Sequence, residues 1–374
     1  MKFNKTLQFF ILGILIISCQ KQNEYHIIGK LQNIPDSTII DLFVLYENIG
    51  SRIASDTIIN GVFSFSDTIG DDILQMSLMM RDRKQFYGSC EIWVGKSDIK
   101  VSGNRKYLSE WTATSNIKEQ IAQNLLSDQT KDLRLKRDSL QLMLSSTTQD
   151  KLKVRNAIDS INLIITNKEL TYIETYYNSL PAVIALYKIS QFSDSMKHIT
   201  IKEVINKMDT IYANTIYGEG IKNSLKSAKP INVGDKYIDL HAYDLKGQSY
   251  HISDFNDKFI LLDFWSMACY PCILAAPEMR EVTEKYRNEL NIIGINLDTR
   301  KNLWEEATKR DSITWINLSD GKGVFGGAYH TYGINGFPTY ILIDPQGIIV
   351  ERWMGYETGI FNNKLSKYLE AKAE

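Results

Sequence analysis

Between residues 25 and about 103, apolar and polar positions follow one another in short runs, the period of half-buried strands. Residues 25–31 (Tyr-His-Ile-Ile-Gly-Lys-Leu) alternate, 39–46 is a second β-rich run, and 91–94 and 98–101 add two short strands. Asn60-Gly61 inside 57–65 predicts a hairpin, because a tight two-residue turn favours residues that accept positive φ. Together these runs predict a small antiparallel β-sandwich domain over 25–105.

From about Ser115 to Lys226 the period lengthens. Ile117, Ile121 and Leu125 fall at helical spacing, as do Ile158, Ile161 and Ile165. Charges of mixed sign around 131–138 read as a solvated helix face. A helical connector domain over 106–228 follows, interrupted around 145–149 and at Pro181, and serving as a spacer, a dimer seam or plain packing. The punctuation Lys229-Pro230-Ile231-Asn232-Val233-Gly234-Asp235 marks a boundary. Beyond it, strands at 259–265, 290–297, 339–343 and 348–353 alternate with helices at 273–286, 303–310 and from about 359. An Asp344-Pro345-Gln346-Gly347 turn joins the last two strands. This predicts an α/β sheet with helices on both faces over 229–374.

Composition narrows the function classes. The 374 residues carry 43 basic and 44 acidic side chains, with no long basic run and no aromatic-basic interleaving, so nucleic acid is not an expected partner. The N-terminus reads separately. Lys2 and Lys5 precede an apolar stretch over 6–17, too short to span a bilayer and of signal-peptide length. It ends in Ile16-Ile17-Ser18-Cys19, which resembles the lipobox of bacterial lipoproteins. That resemblance implies a signal peptide over 1–18, a lipidated tether over 19–24 and a lipid anchor on Cys19. The alternatives are an ordinary secretory signal or an uncleaved anchor. The expected location is the bacterial cell envelope, lipid-anchored and facing the periplasm. Of the four cysteines, Cys90 is then left over and reads as a small hydrophobe in a strand.

The chemistry concentrates in Cys269-Tyr270-Pro271-Cys272, between the apolar run 259–265 and a helix. A cysteine at a helix N-terminus faces unpaired N–H groups and the positive dipole end, which favour the thiolate. A thiolate attacks disulfides, and a second cysteine one turn on can resolve the mixed disulfide. Half of a zinc site is the rival reading, but zinc needs a second ligand pair, and the five histidines (26, 198, 241, 251, 330) are scattered. A purely structural disulfide closing so short a loop gains little. Asp263, inside an apolar strand six residues before Cys269, is a second candidate. A buried carboxyl has a raised pKa and suits proton exchange with Cys272; the bland alternative is a solvated carboxylate or one paired with Lys258.

Two stretches carry a family resemblance. Residues 263–272 (Asp-Phe-Trp-Ser-Met-Ala-Cys-Tyr-Pro-Cys) resemble the active-site stretch, and 336–340 (Gly-Phe-Pro-Thr-Tyr) the cis-proline loop, of exported thiol–disulfide interchange proteins of the TlpA and ResA kind. The resemblance implies a thioredoxin fold from about 231 to the end, with Cys269 as the exposed attacking thiol and Cys272 as the buried resolving one. It further implies a cis Phe337–Pro338 bond beside the disulfide, with Phe337, Pro338, Tyr270 and Pro271 facing substrate. No cofactor beyond the cysteine pair and no metal is implied; the partners are exported proteins with disulfides and a membrane thiol electron donor. Oligomeric state is open. The chain departs from the family pattern at Ala268, where relatives often place Trp, and at Ala275, where exported relatives often place Glu. The β-region resembles a small domain of unknown function found before thioredoxin domains in some exported lipoproteins, and that likeness implies no chemistry.

The expected function is thus a thiol–disulfide oxidoreductase, working as a reductase. A thiol peroxidase of peroxiredoxin type and a non-enzymatic envelope binding lipoprotein are the alternatives.

Overall fold

The computed structural model describes residues 23–46, 49–82, 88–104, 107–146, 151–191, 195–226 and 231–370. Cys19, the expected signal sequence and the Lys229-Pro230 punctuation lie outside these residues. The chain divides into two compact units. One takes in the N-terminal strands to Asn124 and then Lys131–Ile158; the other takes in Leu125–Thr130 and everything from Asp159.

In the first unit, β1 (Glu24–Gln32), β2 (Ile39–Tyr46), β3 (Ile49–Thr57), β4 (Val62–Thr68), β5 (Leu74–Met80), β6 (Cys90–Val94), β7 (Asp98–Asn104) and β8 (Thr112–Thr114) build two four-stranded sheets. Their orders are β4-β1-β7-β8 and β3-β2-β5-β6. Strict alternation in β1 sends Tyr25, Ile27 and Leu31 inward, where they join Ile40, Leu42, Leu78, Ile92 and Ile99 in one core. Each such aliphatic side chain contributes roughly 2 kcal/mol by leaving water.

Two details differ from the expected antiparallel sandwich. β1 and β7 pair in parallel, because the chain builds much of the other sheet before returning to the first beside β1. The Asn60-Gly61 turn has positive φ at both residues (53° and 73°), as expected, but closes only the Ile59–Val62 bridge. Its arms then part into different sheets, β3 onto β2 and β4 onto β1, so that Ile58, Phe63 and Phe65 all reach the common core.

The helices are α1 (Lys118–Asp128), α2 (Lys131–Ser146), α3 (Lys151–Thr175), α4 (Leu180–Ser190), α5 (Ser195–Lys207), α6 (Thr210–Ala213) and α7 (Ile216–Lys226). They do not form a body of their own. α2 belongs to the first unit, whereas α4 to α7 share the second with the C-terminal sheet. Pro181 does not break a helix but opens one: Ser179 caps α4 by accepting from Ala182 N, and proline suits the first turn. α4 and α7 pack on Phe325, which closes a core with Leu186, Tyr187 and Ile221. The Tyr187 hydroxyl donates to Val324 O at 2.8 Å, and Asn223 Nδ2 donates to Phe325 O at 2.9 Å.

The C-terminal region begins with a hairpin of β9 (His241–Tyr243) and β10 (Ser249–His251). A five-stranded sheet follows, built from β11 (Phe259–Trp265), β12 (Leu290–Asn296), β13 (Ile316–Leu318), β14 (Thr339–Ile343) and β15 (Ile349–Met354). Its order is β13-β12-β11-β14-β15, parallel on the β12 and β13 side and antiparallel on the other. α8 (Tyr270–Lys285) and α11 (Ile360–Leu369) cover one face through Ala275, Met279, Phe361 and Leu365; α10 (Gly327–Thr331) lies on the other through Ala328. α9 (Lys301–Arg310) follows β12. β11 is buried on both faces, which explains its unbroken apolar run. Among the described residues no helix is long and apolar enough to cross a membrane.

Candidate active site at the start of a helix

β11 ends at Trp265, and the chain turns through 266–269 directly into α8. Cys269 is the N-cap of that helix and Cys272 lies in its first turn. The two are joined by a disulfide, with Cα atoms 5.3 Å apart. Cys272 N–H donates to Cys269 Sγ at 3.1 Å, so the sulfur occupies the place of a capping oxygen. Pro271 stands where its missing N–H costs no hydrogen bond. Helix α8 begins at Tyr270, one turn earlier than the apolar periodicity suggested, because this cap and proline extend it.

The cysteines differ less than expected. Cys269 is 7% exposed and Cys272 8%, so in the disulfide form the two residues are buried alike. The cause is the packing around both: Trp265 and Trp304 bury the pair, and Met267 and Phe337 pack against the same cluster. Ala268, Tyr270 and Pro271 are exposed, so the open side of the centre is formed by the residues flanking Cys269.

Pro338 is buried, and the Phe337–Pro338 bond is cis. Thr339 Oγ1 donates to Gly336 O at 2.7 Å and Gly355 N to Pro338 O at 2.8 Å, fixing the loop to β14 and β15. Through Phe337 this loop reaches the cysteines, so two motifs far apart in the chain meet.

Asp263 shares a strand face with Leu261, which packs on α8, and Trp265, which packs on the cysteines. Burial alone raises its pKa to about 7, and Oδ1 has no hydrogen-bond partner among the described residues. The Lys258 pairing is not what is found: Lys258 Nζ donates to Arg287 O. Cys90 is buried in β6, where desolvation pushes its thiol up to about 12, leaving it inert near neutrality.

Residues that sequence reasoning missed surround the 266–269 turn. Asp298, two residues past the end of β12, accepts from Met267 N at 2.8 Å; Arg310, at the end of α9, donates to Met267 O at 3.0 Å; and Trp304 covers the disulfide. The one available signal was an Asp at the C-terminal edge of a parallel strand, where α/β sheets gather their functional groups. Among the described residues no group of three or more His, Cys, Asp or Glu side chains is arranged to hold a metal ion.

Residues 233–352 match the AhpC/TSA family. The thiol-disulfide oxidoreductase ResA of a Bacillus cereus strain is 27% identical over 142 residues, which cover 37% of this chain and 78% of that protein. The thioredoxin-like protein YneN of Bacillus subtilis is 24% identical over 131 residues, covering 34% and 75%. Among solved structures, the thioredoxin domain of a thiol-disulfide oxidoreductase from Bacteroides vulgatus is 28% identical. It covers 37% of this chain and 99% of its own, with a TM-score of 0.35.

Proposed function

We propose, from the premise that the C-terminal region is a ResA-like thiol–disulfide oxidoreductase domain of thioredoxin-like fold, that its Cys269–Cys272 pair reduces disulfides in exported proteins. The observation that carries this reading is the capping geometry: Cys269 Sγ receives the Cys272 N–H at the start of α8, where a thiolate is favoured. In the reduced protein the Cys269 thiolate attacks a substrate sulfur, forming a mixed disulfide and releasing the other substrate sulfur as a thiolate. Cys272 loses its proton and attacks Cys269 Sγ. The second substrate sulfur leaves, the substrate has gained two electrons, and Cys269–Cys272 is oxidised. Asp263, uncharged below about pH 7 and ionised above it, exchanges the Cys272 proton through water. Phe337, Pro338, Tyr270 and Pro271 line the substrate side.

Regeneration needs two electrons from a membrane thiol donor, since the envelope holds no pool of cytosolic thiols. The cysteine pair is the whole redox centre, with no further cofactor. In this reading residues 1–18 are a lipoprotein signal, Cys19 carries the lipid, residues 19–24 are the tether, and the chain from residue 25 onward faces the periplasm. The deciding experiment is insulin reduction by the purified protein under dithiothreitol, with Cys269→Ser as control. Wild-type protein that performs no better than the control refutes the assignment. The AhpC/TSA match keeps a thiol peroxidase as second reading, and peroxide consumption by the reduced protein separates the two.

A further inference from the structure

The turn that carries Cys269 is short, and its backbone is held from outside. Met267 packs against the cysteine cluster, and Cys269 N–H donates to Ser266 O at 3.2 Å within the turn. Both main-chain polar groups of Met267 are bound by side chains from distant parts of the chain. Asp298 Oδ2 accepts its N–H at 2.8 Å, and Arg310 Nη1 donates to its carbonyl at 3.0 Å.

Each of these side chains is itself locked. Asp298 is 2% exposed; its Oδ2 also accepts from Asn296 Nδ2 at 2.8 Å, and its Oδ1 is buried without a hydrogen-bond partner among the described residues. Arg310 Nε and Nη2 form a two-pronged bridge to Asp311 at 2.7 and 2.8 Å, leaving Nη1 for Met267. The Asp311 carbonyl in turn accepts from Arg280 Nη1 of α8 at 2.8 Å. Between the two clamping residues α9 places Trp304 on the disulfide, and Trp304 Nε1 donates to Asn317 Oδ1 at 3.2 Å.

Packing alone does not require this arrangement. A buried carboxylate is destabilising unless its hydrogen bonds offset the lost hydration. Burial raises the Asp298 pKa, against the lowering effect of Asn296, Met267 N–H, Arg310 and Arg300, so the penalty is only partly offset. Holding a reactive group against a rigid shell gives such a residue a purpose, because small displacements of a nucleophile lose large factors in rate.

We propose that Asp298 and Arg310 are positioning residues of the redox centre: by gripping both backbone groups of Met267 they fix the 266–269 turn and thereby set the reactivity of Cys269. This rests on the oxidoreductase reading, and its test separates the two. Reduced wild type, Asp298→Ala, Asp298→Asn and Arg310→Ala are compared by alkylation rate of Cys269 with iodoacetamide between pH 5 and 9, by kcat/KM for insulin reduction, and by thermal melting. Asp298→Ala is expected to lower kcat/KM about tenfold or more and to displace the alkylation profile; Asp298→Asn, which keeps an acceptor for Met267 N–H, recovers kcat/KM to within about threefold. Arg310→Ala, at a partly exposed position, alters the same profile and serves if Asp298→Ala does not fold. Lowered melting with alkylation and kcat/KM unchanged in the folded variants overturns the proposal. A displaced alkylation profile in a protein whose wild type does not reduce insulin instead sustains the clamp and refutes the oxidoreductase reading.

Discussion

Asp263 lies directly opposite Tyr340 across the β11–β14 pair, and both side chains are buried. The Asp263 carboxylate helps hold the Tyr340 phenol well above its usual range, after the larger effect of burial. Among the described residues nothing cationic compensates Asp263, whose pKa is raised by desolvation alone. An acid whose folded pKa exceeds its unfolded value binds more protons folded than unfolded in the interval between the two. The Asp263 contribution to stability should therefore fall as pH rises from about 4 to about 7 and level off above. Asp263→Asn should remove this slope and gain on the order of 4 kcal/mol above pH 7, as read from urea midpoints at fixed pH. A wild-type midpoint as flat as the variant's across that interval contradicts the buried-acid assignment.

The same substitution bears on turnover. If Asp263 takes the Cys272 proton, the wild-type rate of disulfide reduction rises through an apparent pKa near 7. Asp263→Asn should lose that inflection and fall at least about tenfold at pH 8. An unchanged pH profile removes the proton-exchange role.

Cys269 and Cys272 should separate in trapping experiments. If Cys269 attacks and Cys272 resolves, mixed disulfides with substrate should accumulate in Cys272→Ser on non-reducing gels. Cys269→Ser should form none. Accumulation on Cys272 instead would reverse the assigned roles, an outcome made pointed by their near-equal burial.

Phe337 joins the cis-proline loop to the cysteine cluster. Phe337→Ala should lower kcat/KM for a protein disulfide by about tenfold while changing the reaction with a small aromatic disulfide less than about threefold. Equal losses on both substrates would point to altered sulfur chemistry rather than substrate contact.

Tyr187 and Phe325 join the helices to the C-terminal region, their ring centroids 5.0 Å apart. Phe325→Ala should cost about 3–5 kcal/mol by opening a cavity between α4 and α7. Tyr187→Phe, which loses the bond to Val324 O, should cost about 1 kcal/mol. A Phe325→Ala protein as stable as wild type would mean that this contact is not formed.

What the sequence made readable was local. Cys269, Pro271 and Cys272 announce a helix start, and β11 announces itself as an apolar run holding one unexplained Asp. The Gly336–Phe337–Pro338 stretch was readable through family likeness, which placed it beside the cysteines; periodicity gives no such distance information. The unreadable parts depend on long-range assembly. Asp298 and Arg310 resemble any strand-end acid and helix-end base until the fold sets them 31 and 43 residues from Met267 in sequence yet within hydrogen-bonding reach. Likewise nothing in Asn60-Gly61 reveals that its arms join different sheets, since turn chemistry fixes two residues and tertiary packing fixes the strands. The helical stretch read as a separate connector because periodicity detects an apolar face without identifying its partner; for α4 and α7 that partner includes Phe325.

The seating of α4 and α7 on Phe325 bears on how the redox module is cut and transplanted. A recombinant piece beginning at the Lys229-Pro230 punctuation would strip the cover from an aromatic ring that is 3% exposed in the full chain, inviting self-association. Grafting this module onto another host protein therefore requires taking the preceding helices as part of the same cassette.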